Sequence, residues 1–550
     1  MSGEPELADA GRVRRELTRL EREIAAREYR PVWHALAVLS IMVFAGFLFY
    51  KSISSGGTLM AVDMTWPDTL SRIQFRVVNT WYPYGSVPAI YSLQWFFWIY
   101  PTSMAARALH LSAARYMLGM FYGTFALAGI SMYVLAFRTI RQIRLPDSDG
   151  YAPYVASVFA ALVYMFNPWS VHYLRPYFAY PIYALQPLLF LALVKTFDRP
   201  TARNIILFAL FASLVNTSHH MVWFLGMLGS YFVYYLVKNR LKGGSVRRAL
   251  KAAVGIPSLY LVINGMWTVP YIMAQVSGKP FQAYYAPSFE PSSLEVLSRN
   301  NSMANNFRLL SSWAWKVERL PGGLLLQAAL FAVPVFAVAA LLLMRKQVSG
   351  NDTVMYWGAV ATLALLFATG ASWFLKRPYE YLVFKAPLHS SYGWMLRASE
   401  RWLFFVPVFF ALMLALLAAR LLQVRRPRVK PEREDSDEAW SPEARLAVLE
   451  YRIAAARYRL SMAAALSMII LTLSSLYPKA LDFAKNTYNP VRVPRDYRRL
   501  NEFLQEKNGE PRVAWLPFFT TRLYRYSWAT EKYLGPYSIM NSTPNLNGQR

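Results

Sequence analysis

Apolar windows of roughly the length needed to cross about 30 Å of hydrocarbon recur along almost the whole chain. They fall near residues 33–50, 115–137, 152–167, 177–194, 204–217, 221–237, 252–274, 322–343, 354–374, 402–420 and 459–476, which is eleven in all. Threading them alternately places 1–32, 138–151, 195–203, 238–251, 344–353 and 421–458 on one side of the membrane. The short loops of this set are rich in Lys and Arg, for example Arg138, Arg141 and Arg144, then Lys238, Arg240, Lys242, Arg247, Arg248 and Lys251. The two shortest opposite loops, 168–176 and 218–220, hold only Arg175. Basic residues stay on the cytoplasmic side of short loops, so this bias predicts an inside N-terminus and an outside C-terminus.

The pattern therefore predicts an all-α polytopic cell-membrane protein of about 11 transmembrane helices. A cytoplasmic amphipathic helix (1–32) leads into a transmembrane domain (33–476) with outer loops at 51–114, 275–321 and 375–401 and a cytoplasmic helix at 441–458. Residues 477–550 follow as an extracytoplasmic region, where Arg495–Glu506 reads as a helix and Arg512–Leu516 as a strand. This is the start of a small α/β domain. Seventy-four residues make a marginal core, so the natural protein is expected to continue beyond this chain. Within the first outer loop, Pro88–Tyr100 (PAIYSLQWFFWIY) is too short to span and rich in Trp and Tyr. Such a segment reads as an interfacial helix at headgroup level.

Composition narrows the class. Of 550 residues, 55% are hydrophobic and only 16% charged, against about a quarter charged in soluble domains. Soluble-enzyme and DNA-binding readings are excluded. The formal charge of +28 resides largely in loops flanking the spans and in the tail, so it does not describe a nucleic-acid surface. The absence of cysteine removes disulfides, thiolate metal sites and thiol catalysis. The first 32 residues are charged throughout, so the first span serves as an uncleaved anchor. Asn-X-Ser/Thr sequons occur at Asn216, Asn300 and Asn541, which face outward in this topology, and at Asn351, which faces inward.

Two cytoplasmic segments repeat. Residues 17–30 (LTRLEREIAAREYR) and 446–459 (LAVLEYRIAAARYR) are identical at eight of fourteen positions, each pair 429 residues apart. Leu17, Leu20 and Ile24 share one helical face, and Ser441-Pro442 is an N-cap followed by Pro at the first helical position. The repeat suggests either a parallel two-helix clasp, with Leu17, Leu20 and Ile24 on Leu446, Leu449 and Ile453, or two separate amphipathic helices on an anionic inner leaflet.

Polar groups at membrane depth are costly and so are functional candidates. They gather at the outer ends of the spans: Asp63 and Asp68 after the first, Asn167, Trp169, His172 and Arg175 between the third and fourth, and Asn216, His219 and His220 between the fifth and sixth. Asn264 and Gln275 flank the outer half of the seventh, and Arg397, Glu400 and Arg401 lead into the tenth. A hydroxyl attacking an activated sugar needs a carboxylate base within hydrogen-bond reach. A lipid-phosphate leaving group needs Arg, Lys or His to hold its developing charge. Asp63 and Asp68 are the carboxylate candidates. His219, His220, Arg397, Arg401 and Arg175 are the phosphate-binding candidates, with Arg397 and Arg401 one helical turn apart. No phosphate loop, zinc-protease motif, paired-Asp polymerase motif or hydrolase serine elbow is present, so no nucleotide or metal site is read and no cofactor is expected.

An acidic residue in the first outer loop followed by Pro (Asp63…Pro67), a Trp-rich interfacial segment and an outside C-terminal region resemble the GT-C superfamily of polyprenyl-phosphate-dependent glycosyltransferases. Within it the chain is similar to arabinofuranosyltransferase D-like proteins and their large archaeal relatives. Leu396-Arg397-Ala398-Ser399-Glu400-Arg401-Trp402 resembles in layout their Phe-Arg-Asp-Pro-x-Lys-Phe-like motif, departing at several positions, and 493–517 looks like the opening of their outer domain. The resemblance implies that Asp63 is the general base and that Arg397 occupies the place of the family's Arg. It implies a lipid-linked sugar donor and a glycan or glycolipid acceptor as partners within the membrane. Rival classes are a lipid or glycan transporter (flippase) and a non-catalytic assembly protein of the same fold.

Overall fold

The computed structural model describes residues 31–54, 58–59, 70, 74, 95–143, 150–173, 180–214, 218–240, 242–276, 290–311, 323–387, 389–424, 442–486, 490–491, 499, 503, 524–525 and 532–533. Helix α1 covers Pro31–Ser54 and is followed by strand β1 (Thr58–Leu59). Then come α2 (Phe96–Ala108), α3 (Ala113–Gln142), α4 (Ala152–Phe166), α5 (Pro168–Tyr173) and α6 (Tyr180–Asp198). The middle of the chain forms α7 (Ala202–Ser213), α8 (Ser218–Lys238), α9 (Gly243–Ile263) and α10 (Gly265–Val276). After these lie the short α11 (Pro291–Ser298) and α12 (Met303–Phe307), then α13 (Gly323–Ala329), α14 (Ala332–Leu343) and α15 (Asp352–Phe367). Next come α16 (Lys376–Phe384), α17 (His389–Leu396), α18 (Val406–Leu422), the 45-residue α19 (Pro442–Asn486) and β2 (Pro490–Val491).

Local chemistry sets several of these starts. Ser112, Thr201, Ser302 and Asn351 each accept, through the side chain, the backbone N–H three residues on, at 3.2–3.3 Å. That satisfies one of the orphan donors of a first turn. Asn264 breaks what the sequence reads as a single span, 252–274, into α9 and α10. Its buried amide donates to Ser213 Oγ at 2.7 Å and accepts from Trp267 Nε1 at 3.2 Å, tying the break to α7.

Helix is present in each of the eleven apolar windows. Among the described residues four helical stretches are long and apolar enough to cross a membrane: Pro31–Ser54, Ala113–Gln142, Ser399–Leu422 and Arg445–Asp482. They differ in surroundings. The best window of Ser399–Leu422 is 89% buried, while those of α1 and α19 are 28% buried. α18 (VPVFFALMLALLAARLL) is apolar on every face, and a helix of that kind belongs in the interior. It touches α3, α4, α14, α15 and α19, and its alanines, Ala411, Ala415, Ala418 and Ala419, let neighbouring backbones approach. α1 and α19 present Leu39, Val43, Phe44, Leu466, Ile470 and Leu471 outward, as peripheral helices facing lipid do.

Two groups of contacts tie the inter-helix segments together. At one end Lys238 pairs with Asp352, Tyr234 donates to Asp352 at 3.2 Å, and Arg420 donates to Leu343 O at 2.6 Å. These residues belong to segments with basic loops. At the other end Trp169 Nε1 donates to Glu400 O at 3.0 Å, and Asn301 donates to Ser399 Oγ at 2.8 Å. That joins Trp169, Asn301 and the Ser399–Glu400 turn, which lie in three segments that the sequence topology expects on the outside.

Two expectations need adjustment. The aromatic helix begins at Phe96 and runs to Ala108, so it is displaced toward the C-terminus of Pro88–Tyr100; residues 88–94 lie outside the described residues. Of the tail, Arg499 and Phe503 are helical, and two-residue strands pair Tyr524–Arg525 with Lys532–Tyr533. A small α/β domain is not established by these elements.

Candidate active site

The outer-end group is built from six stretches distant in sequence. α4 ends at Asn167, which is fully buried. Its amide donates to Tyr164 O at 2.7 Å and to Tyr183 Oη at 3.1 Å, while its oxygen accepts Ser170 N at 3.0 Å and so caps α5. Tyr164 and Tyr183 stack at 4.2 Å and exchange hydroxyl-to-carbonyl bonds of 2.7 and 2.8 Å. With its amide occupied in this way, Asn167 is a structural joint and not a ligand-binding group. The joint positions Trp169, whose indole N–H reaches the backbone of Glu400.

Around Glu400 the polar groups converge. α17 ends at Leu396, and Ser399–Phe405 forms a 3₁₀ turn instead of continuing as an α-helix. Arg397 and Arg401 therefore do not share one α-helical face, and the expected spacing of one helical turn does not apply. Glu400 is fully buried, and Asn301 Nδ2 lies 3.5 Å from its Oε2. A buried carboxylate is held by pairing and hydrogen bonds, and Asn301 supplies one polar contact among those of Glu400. Asn301 also donates to Ser399 Oγ, and Ser399 Oγ lies 3.5 Å from Ser298 Oγ. Ser298 Oγ accepts Ala371 N at 3.2 Å, and Ser372 Oγ donates to Asn301 O at 3.0 Å.

Gly370 lies between the two serines with φ +55°, and a Cβ there would come within 2.3 Å of Ser399 Oγ and 2.5 Å of Ser298 Oγ. Only glycine fits. Asn306 extends the group, donating to Leu365 O at 3.0 Å and accepting from Ser311. Tyr379 on α16 closes the other side: its hydroxyl donates to Leu396 O at 2.7 Å and accepts Trp402 Nε1 at 3.2 Å. Burial pushes the Tyr379 phenol well above its ordinary value, with Glu400 adding to the shift and the Trp402 bond and Arg401 opposing it. It remains a neutral donor.

Two atoms in this group are buried without a hydrogen-bond partner among the described residues: Arg401 Nη1 and Asn301 Oδ1. One is a cationic donor and the other an acceptor. Buried polar atoms of this kind are rare and call for an explanation. A ligand carrying both an oxyanion and hydroxyls would satisfy both.

The start of α8 also reaches this place. Trp223 meets Trp402 edge-on at 4.8 Å and lies within 6.0 Å of Phe405. His219 and His220 occupy the first turn of α8, one helical turn before Trp223; their side chains lie outside what the structure describes, as does that of Gln275. Asp63, Asp68, Arg175 and Asn216 lie outside the described residues altogether. Arg397 is half-buried at the bend before the 3₁₀ turn, and His172 is buried in α5. The sequence reading missed Ser298, Asn301, Asn306, Tyr379 and Trp402. The paired amides Asn300-Asn301 and Asn305-Asn306, five residues apart between charged and apolar stretches, were the available signal. Among the described residues, no three His, Asp or Glu side chains gather as metal ligands.

No family model matches the chain, and no curated protein matches it. Among solved structures it is similar to the single-particle cryo-EM structure of arabinofuranosyltransferase AftD from Mycobacteria, with 14% sequence identity and a TM-score of 0.49. The match covers 93% of this chain and 32% of that one, so the chain spans about a third of that protein's length.

Proposed function

We propose that this chain is a membrane glycosyltransferase that moves a sugar from a polyprenyl-phosphate donor to a hydroxyl of a cell-surface glycan or glycolipid at the outer face. The observation that carries the reading is Arg401 Nη1, buried without a hydrogen-bond partner among the described residues and next to the buried Glu400, where six loop and helix-end segments converge at one end of a lipid-facing bundle. In such a transfer the bond between the anomeric carbon and the phosphate oxygen breaks, and the acceptor oxygen takes its place. The departing polyprenyl phosphate keeps the electron pair, and Arg401, with Arg397 and the His219–His220 turn, offers positive charge to it. The acceptor hydroxyl loses its proton to a carboxylate. Asp63 takes that role in the proposal, with Asp68 as the neighbouring candidate; it rests on the sequence pattern Asp63…Pro67. Glu400, held by Asn301, sets the charge balance around the arginines.

The test is turnover in lipid nanodiscs carrying a panel of polyprenyl-phosphate sugars and membrane glycan acceptors, read as released polyprenyl phosphate. Wild-type chain should turn over. Arg401→Gln should lose about 10²–10³-fold, the usual cost of one charge-stabilising donor. Asp63→Asn should lose at least about 10²-fold. Full activity in Asp63→Asn would remove that residue from the role of base. Movement of intact lipid-linked sugar across the bilayer, with no phosphate released, would replace the transferase by a flippase.

A further inference from the structure

The exposed stretch of α19 before it enters the bundle is the part of the molecule least explained by the site. Leu446, Leu449 and Ile453 lie along one face and are 57%, 53% and 59% exposed. A helical segment of about this length gains little from its own hydrogen bonds and depends on packing for its stability. Nothing in the described residues covers this stripe.

The register of α1 and α19 says what does. Their rings meet at Phe47 and Tyr477, 5.7 Å apart, a sequence offset of 430. The helices end at Ser54 and Asn486, an offset of 432. Beyond those ends, Thr58 pairs with Val491 and Leu59 with Pro490. The repeated segments 17–30 and 446–459 are offset by 429. With a rise of about 1.5 Å per residue, the offsets of the ring contact and of the helix ends lie within one helical turn of the repeat offset. Toward the other end, Trp33 and His34 contact Tyr154, while Ala465 packs with Ala152 at the start of the same helix, α4. α1 and α19 thus run in the same direction, with Trp33, His34 and Ala465 at the level of the start of α4. Of the six positions at which the copies differ, two exchange charge: Glu23 corresponds to Arg452, and Glu28 to Arg457.

We propose that residues 17–30 dock in parallel on the Leu446–Leu449–Ile453 face of α19, through Leu17, Leu20 and Ile24, and tie the first span to the last. The clasp depends on no part of the transferase reading.

Because the chain has no cysteine, paired substitutions report directly. Full-length protein in nanodiscs, carrying Leu20→Cys with Leu449→Cys, is oxidised with a copper catalyst and digested, and linked peptides are quantified by mass spectrometry. The control pairs Leu20→Cys with Tyr451→Cys on the opposite face of α19. The clasp predicts at least a tenfold higher intramolecular yield for Leu449 than for Tyr451. A second measurement attaches a fluorophore at Leu449→Cys and quenches it with nitroxide lipids in anionic vesicles; the clasp predicts no quenching beyond that of a soluble-loop control. Equal cross-linking at both positions overturns the proposal, as does quenching that shows the stripe lying on the leaflet. Links that join two copies, seen as a dimer band, overturn it too.

Discussion

Replacing Gly370 by alanine tests the geometry of the candidate site without touching any ionisable group. Two separable penalties follow from the structure. The backbone at Gly370 has φ +55°, a left-handed conformation that costs a residue with Cβ about 1–2 kcal/mol. The new methyl would also lie 2.3 Å from Ser399 Oγ and 2.5 Å from Ser298 Oγ. Both hydroxyls must then move, which strains the Asn301–Ser399 bond, the Ala371–Ser298 bond and the Ser298–Ser399 contact. At about 1 kcal/mol for each weakened bond, Gly370→Ala should destabilise the protein by about 3–5 kcal/mol. The assay is an SDS-unfolding titration in mixed micelles at fixed temperature, followed by tryptophan fluorescence. In Gly370→Ala combined with Ser399→Gly, the nearest clash disappears while the backbone strain remains. The double variant should therefore be more stable than the sum of the two single effects predicts, by about 1 kcal/mol or more. A Gly370→Ala protein within about 0.5 kcal/mol of the parent would refute the close approach of the 3₁₀ turn to the two serines.

Further outcomes follow from the same contacts. Trp169→Phe keeps the ring but removes the donor to Glu400 O; losing one buried hydrogen bond should cost about 0.5–1.5 kcal/mol in the same titration. Tyr379→Phe removes a hydroxyl bonded to Leu396 O and Trp402 and should cost about 1–3 kcal/mol at pH 7. The folded Tyr379 phenol titrates above its ordinary value of 10.0. Its stabilisation is therefore complete below that value and declines as pH rises past it, while the unfolded phenol ionises and the folded one does not. The gap between parent and Tyr379→Phe should thus narrow above about pH 10, as unfolding titrations across pH will show. Lys238→Ala should cost no more than about 1 kcal/mol, since both members of its pair with Asp352 are nearly half exposed; a larger loss would mean that the basic end of the bundle is structurally critical.

Much of this arrangement is legible in the sequence because a membrane chain separates polar from apolar residues strongly. The recurring apolar windows, the basic loops and the clustering of Asn, His, Arg and Glu at the opposite ends of the spans all follow from the cost of polar groups in hydrocarbon. What remained hidden is tertiary. The Trp169–Glu400 bond joins residues 231 positions apart, and nothing local marks Asn301 as the partner of Ser399. Helical spacing puts Arg397 and Arg401 on one face, but the 3₁₀ turn beginning at Ser399 separates them, a change of pitch that periodicity alone does not reveal. Asn167-Pro168-Trp169 reads more as a helix-ending turn than as a ligand site, and the hydrogen bonds of Asn167 make it the turn between α4 and α5.

The most direct test of a lipid-phosphate site between α8 and the 397–402 segment is photo-cross-linking with a benzophenone-bearing polyprenyl phosphate in nanodiscs, mapped by peptide mass spectrometry. The account predicts labelling concentrated in peptides spanning 218–224 and 389–402, abolished by excess polyprenyl phosphate but not by polyprenol, and strongly reduced in Arg401→Gln. Labelling spread along the lipid-exposed faces of α1 and α19, or competed equally by the phosphate-free lipid, would contradict it.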